Sequence, residues 1–152
     1  MEKLCFLFGS RHTPDEALPL IETAVEKNYL EYGIRNFVVG GRGNFDHLAA
    51  DALKAVKERH KDIYLRLLLH YHPTDRRIDI PEGFDGTLYP EGMEKVPGKF
   101  AIVRANQCLI RAADSIICYV HQIGNSRELL EYAKGREKRG ILKVENLTKG
   151  TL

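Results

Sequence analysis

Short unbroken apolar runs alternate along the chain with longer stretches in which apolar residues recur every three or four positions. Leu4 to Phe8 is the first such run, stopped by Gly9, as expected for a strand buried on both faces of a parallel sheet. Thr13, Pro14 and Glu16 then spell a helix start, with a capping hydroxyl, a proline at the first helical position and a glutamate placed to complete a capping box. Leu18, Ile21, Val25 and Tyr32 carry the helical stripe to Gly33, a suitable stop, while Pro19 predicts a kink or a later true start.

Phe37 to Val39 forms the second run, ended by Gly40, Gly41, Arg42 and Gly43, after which Asn44 can cap a helix. Phe45, Leu48, Ala49, Ala52, Leu53 and Val56 give the clearest amphipathic spacing in the chain. Ile63 to Leu69 reads as a third strand. Tyr71 to Pro97 is a long excursion rich in Pro, Gly and Asp, with room for one short strand near Leu88. Phe100 to Ala113 reads as a helix, Ser115 to Val120 as a fourth core strand, Ser126 to Lys138 as a helix and Ile141 to Val144 as a final strand. This rhythm predicts a Rossmann-like α/β domain of three layers, α/β/α, around a mostly parallel sheet of about five strands, because each strand needs a crossover helix to return in the same direction. A chain of 152 residues fits one such domain, with no internal repeat or boundary between residues 1 and 152.

Composition adds little to this picture. With 43% hydrophobic and 29% charged residues the chain belongs among globular proteins, and a formal net charge of +2 gives no electrostatic footprint for a nucleic-acid partner. Cys5, Cys108 and Cys118 form no CxxC pair and sit in apolar runs, which reads as reduced, buried thiols and a cytoplasmic location. No run approaches the roughly 20 apolar residues that a membrane-spanning helix needs, and no signal peptide or membrane partner is expected.

In open α/β sheets the ligand crevice lies beyond the carboxyl ends of the strands, near the point where strand order reverses. That geometry selects three loops: Gly9, Ser10, Arg11 and His12 after the first strand; Gly40 to Asp46 after the second; His121 to Ser126 after the fourth. The second loop offers glycines that let backbone amides approach a ligand, a helix whose positive end points at it, and Arg42 for a charge-assisted bond. It matches neither the Walker pattern nor GxGxxG. Asp46 would repel a phosphate but could bind sugar hydroxyls, or simply balance the helix dipole. Arg11 and Ser10 could clamp an anion or lie in a solvated loop. Asn125 with Glu128 forms a second capping signature, which leaves Glu128 either a cap or a cleft carboxylate. His70 and His72 fall on one side of a strand by alternation, but no third ligand accompanies them, and the pattern calls for no metal and no cofactor. There is no GxSxG elbow and no Cys/His dyad, so a covalent mechanism has no support.

Taken together, FGSR after the first strand, GGRGNFDHLAADAL after the second and TLYPEGMEKVPGKFAIVRANQ before the fourth resemble the SLOG superfamily, most nearly its YpsA-like branch. The family's Gly-His-Arg loop corresponds to Gly9, Ser10 and Arg11, and its Gly-x-Phe-Asp segment to Gly43, Phe45 and Asp46. Its Tyr-Pro-Glu segment corresponds to Tyr89, Pro90 and Glu91, and its Phe-Ala-Ile helix with an asparagine to Phe100, Ala101, Ile102 and Asn106. The resemblance runs from Leu4 to Val144, with Ser10 in place of the usual histidine, Ala105 where a basic residue is common, and Gly124-Asn125-Ser126 in place of a glycine pair.

This resemblance implies a Rossmann-like domain that binds or senses a nucleotide-like ligand, through Gly9, Ser10, Arg11, Gly40, Gly41, Arg42, Gly43, Asp46, Tyr89, Asn106, His121, Gly124, Asn125 and Ser126. A related branch, the Lonely Guy phosphoribohydrolases, implies an alternative activity, hydrolysis of the N-glycosidic bond of a nucleoside monophosphate. Glu128 or Asp46 would then be the catalytic carboxylate, although the proline, leading glycines and threonine of that branch's loop are missing before Gly124. The DNA-processing protein A family shares an Arg-Gly-x-Asp segment, but the additional domains and basic surface with which it binds single strands are absent. Self-association through helices flanking the cleft is compatible with the resemblance and marked by no stripe in the sequence.

Overall fold

In a parallel sheet whose two faces are both covered by helices, every position of a central strand is apolar, and alternate side chains enter opposite cores. The computed structural model, which describes residues 2–72, 79–121, 126–140 and 142–148, shows this at strand β1 (Leu4–Gly9). Cys5 and Leu7 enter one core with Phe37 and Val39 of β2 (Asn36–Val39), while Phe6 and Phe8 enter the other. The remaining strands are β3 (Tyr64–Leu68), β4 (Gly86–Leu88), β5 (Ser115–Tyr119) and β6 (Lys143–Asn146). They form one sheet in the order β4-β3-β2-β1-β5-β6, and all of its pairings are parallel. The expected Rossmann-like α/β fold is therefore present, with six parallel strands where about five, mostly parallel, were expected: the segment near Leu88 adds an edge strand.

Helices α1 (Leu18–Tyr32) and α2 (Gly43–Arg59) cover one face, and α3 (Ala101–Ala112) and α4 (Arg127–Lys138) the other. Pro19 does delay the first helix. A single 3-10 turn, Asp15–Ala17, comes first, and the proline sits in the opening turn of α1, where its missing N–H costs nothing. Thr13 does not cap this helix; its hydroxyl donates to the Ser10 carbonyl at 2.7 Å. Gly33 closes α1 in the left-handed conformation, at φ 68°. The final strand lies two residues later than its apolar run suggests, because the pairing with β5 starts opposite Ser115 at Lys143.

At the far edge, β4 is fastened by Asp85. Its backbone N–H donates to the Leu65 carbonyl at 2.8 Å, its carboxylate accepts the Leu65 N–H at 2.8 Å, and Lys57 of α2 pairs with the same carboxylate. At the other end of the sheet, Asn146 of β6 ties down the residue after β5: its side chain accepts the Val120 N–H at 3.0 Å and donates to the Val120 carbonyl at 2.9 Å, extending the β5–β6 pairing. Among the described residues no helix is long and apolar enough to cross a membrane.

Candidate functional site

The chain visits β1 through β4 in one direction across the sheet and then returns to place β5 on the other side of β1, so strand order reverses between β1 and β5. Crevices in open α/β sheets form at such points. A cleft of about 860 Å³ opens here, within the range of pockets that hold small ligands. Because β2, β1 and β5 are neighbours, the turns after them converge: Gly9 and Arg11 from the first, Gly40, Gly41, Arg42 and Asp46 from the second, and Ser126 and Glu128 beyond the third all line the cleft, as does Asn106 of α3.

Two glycines are fixed by close approach rather than by turn geometry alone. A Cβ at Gly9 would stand 2.5 Å from the Phe45 ring, so the first turn can lie over the root of α2 only as glycine. Gly43 has φ +84°, and a Cβ there would stand 2.9 Å from the Arg11 Cα. The turns are stitched together at this point. The Asn44 N–H donates to the Arg11 carbonyl at 3.0 Å, and its side-chain amide donates to the Thr13 carbonyl at 2.6 Å and to Asp15 at 2.9 Å. Asn44 thus does not cap α2, which begins at Gly43 behind Arg42.

This stitching revises the picture of a glycine loop with free amides. The Arg42 N–H is already held at 2.8 Å by the Asp46 carboxylate, and that of Asn44 by Arg11. What faces the cleft instead is charge: Arg11, Arg42 and Lys99 line it, and among the described residues none of the three forms an ion pair. Asp46 is half-buried beneath Gly40, where a Cβ would stand 2.9 Å from its Oδ2. Burial pushes its carboxyl up to about 7, against the smaller opposing effects of the Arg42 amide bond and the Arg42 charge. Glu128 is exposed, in the first turn of α4.

Four of the expected residues lie elsewhere. The Ser10 N–H donates to Tyr119 at 3.0 Å, and its hydroxyl accepts the His12 N–H, so it braces the β1 and β5 ends. Gly43 faces Arg11, Tyr89 packs edge-on against His72, and His121 packs edge-on against Tyr119. Gly124 and Asn125 fall outside the described residues. His70 and His72 lie past the end of β3, so strand alternation does not put them on one side.

The sequence reading missed the third wall. The end of β3 contributes Leu68, His70 and Tyr71, and α3 with its approach contributes Lys99, Ile102 and Val103. With Leu129 the apolar members of this wall give the cleft an apolar lining alongside its cations. The signal available in the sequence was the apolar pair Ile102 and Val103 close to Asn106; in the fold they remain 36% and 49% exposed although both are strongly apolar. Neither the protein-family models nor the curated proteins contain a match to this chain.

Proposed function

We propose that the protein binds a nucleotide-like ligand in this cleft, with the anionic end held by Arg11, Arg42 and Lys99 and a planar, less polar end resting on Tyr71, Ile102, Val103 and Leu129. The observation that carries the reading is the presence, at the switch point of the sheet, of an apolar lining and three cations that form no ion pair among the described residues, Lys99 lying over the Phe100 ring. A cation leaves an exposed position beside an apolar surface unpaired at little cost, but three converging on one cleft attract a negative group and gain more when water is partly excluded. Nucleotide-like ligands are also what the SLOG resemblance implies, and membership of that superfamily is part of the proposal.

Calorimetric titration at low ionic strength with nucleoside monophosphates, ADP-ribose and nucleotide sugars tests it. At least one binds, and Arg11→Ala, Arg42→Ala and Lys99→Ala each weaken it by about tenfold or more, as loss of a charge-assisted bond predicts. A folded protein that binds none of them ends the reading.

A second reading, hydrolysis of the N-glycosidic bond of a nucleoside monophosphate, is favoured by one observation: a cleft carboxyl at about 7 can give or take a proton near neutrality. The assay is base release by wild type, Asp46→Asn and Glu128→Gln. Release that neither substitution slows removes both carboxylates from the chemistry.

A further inference from the structure

Asp46 occupies a donor that an anionic ligand would use. Its Oδ2 accepts the Arg42 N–H at 2.8 Å, at the first turn of α2, and it lies in the same cleft wall as the Arg42 side chain. No other hydrogen bond to this carboxylate is recorded among the described residues, so its second oxygen has no partner of its own. Gly40 lies against it, where a Cβ would stand 2.9 Å from its Oδ2.

Resting on the nucleotide-like reading above, we propose that Asp46 competes with an anionic ligand for the donors of this cleft. Ionised, it holds the Arg42 amide and sets a negative charge beside the cations; protonated, it removes that charge and gains an O–H that can donate to the ligand. The protein therefore takes up anions more tightly as pH falls through neutrality. The charged and titratable groups that share the cleft with Asp46 are Arg42 on its own turn, Arg11 on the β1 turn, His70 and Tyr71 at the end of β3, Lys99 before α3, and Glu128 on α4. Burial disfavours the ionised form more strongly than the Arg42 amide bond and the Arg42 charge favour it, which leaves the carboxyl poised at about 7. Glu128 is exposed, where solvent screens it.

The test uses the full chain and ADP-ribose, whose diphosphate keeps a constant charge across the range titrated. Affinity is measured by calorimetry from about pH 5 to about pH 9 for wild type and Asp46→Asn. Wild-type affinity falls above the midpoint by up to about tenfold per pH unit, whereas Asp46→Asn binds at all pH values at least as tightly as wild type does at the acidic end. A wild-type affinity that does not change with pH overturns the proposal and leaves the binding reading standing. An Asp46→Asn variant that binds more weakly throughout also overturns it, because the carboxylate is then an acceptor for ligand hydroxyls. Should neither protein bind ADP-ribose or any of the other nucleotides, both readings fall together. A measurement without ligand is independent of that outcome: the amide resonance of Arg42 in the wild-type protein shifts with pH about a midpoint near neutrality, and a resonance that stays fixed from about pH 5 to about pH 9 overturns the competition directly.

Discussion

A carboxyl held near 7 is a cost as well as a device. Asp46 prefers its proton more strongly when folded than when unfolded, so its contribution to stability is intact below the ordinary aspartate range and is lost as pH rises to about 7. Asparagine carries no charge and can still accept the Arg42 N–H. Asp46→Asn is therefore expected to melt at a higher temperature than wild type at pH 8, with the gap closing toward pH 4; a gap that is constant with pH would mean that Asp46 does not titrate in this window. Gly9 illustrates the opposite kind of constraint. Its substitution by alanine drives a methyl to 2.5 Å from the fully buried Phe45, and neither the strand nor the root of α2 can retreat without opening the core. Thermal or chemical denaturation of Gly9→Ala should show a loss of about 1–3 kcal/mol, the usual penalty for overpacking. The sequence announced Gly9 as a strand stop, but not that an aromatic ring presses on it, because that contact joins residues far apart in the chain.

At the scale of elements, the helices on the α1/α2 face are tied at their far ends by a polar clasp. Arg59 of α2 pairs with Glu22 and Glu26 of α1, His60 bonds Glu26 at 2.7 Å while stacking on Tyr29, and the Tyr29 hydroxyl and Arg35 both donate to Asp62 at 2.5 Å. Glu26 is held below the usual carboxylate range by its bonds from Arg59 and His60, and Asp62 by its bonds from Tyr29 and Arg35. Lowered acids stabilise the fold above their unfolded values, and that stabilisation is lost as pH falls through the folded ones. Because these groups are largely exposed, each pair contributes modestly. The protection of the residues joining α1 to β2 and α2 to β3 against hydrogen exchange is expected to fall on acidification below the ordinary carboxylate range, and Glu26→Gln to abolish that response around His60; protection that changes uniformly across the protein would deny the clasp a role.

Element identity was legible because the two apolar periods, unbroken and helical, point to the same answer as the glycine and proline stops. The register of β6 was not: Ile141 to Val144 is the apolar run, yet pairing begins at Lys143, since an edge strand is set by the partner it joins rather than by its own pattern. Capping was misread twice, at Thr13 and Asn44. Thr13 folds back on its own turn, donating to the Ser10 carbonyl, whereas Asn44 serves the turn after β1 instead of its own helix, a choice that depends on tertiary proximity.

For the molecule as a whole, the decisive fact is the neighbour relation β2-β1-β5, which brings the glycine-bearing turns after β1 and β2 together with Ser126 and Glu128 at the start of α4 in one cleft. Alternating strands and helices imply a parallel sheet but not its order, so the loops after β1, β2 and β5 could be chosen on chemistry and only the fold could bring them together. The wall formed by the end of β3 and by α3 carries no glycine, and the motif on α3 marked Asn106 rather than the apolar residues beside it, which is why those residues escaped a reading built on such signals. If this cleft is where a ligand binds, occupancy must stabilise the entire fold, since the site draws on both helical layers and on three central strands; a ligand that binds only the native state adds about 2.7 kcal/mol at a hundred times its dissociation constant. A nucleotide that binds should therefore raise the melting temperature of wild type in proportion to the logarithm of its concentration. Arg11→Ala, which removes an exposed side chain without touching the core, should leave the ligand-free melting temperature unchanged while shifting that concentration dependence to higher ligand. Equal shifts in the two proteins would show that the ligand sits elsewhere on the molecule.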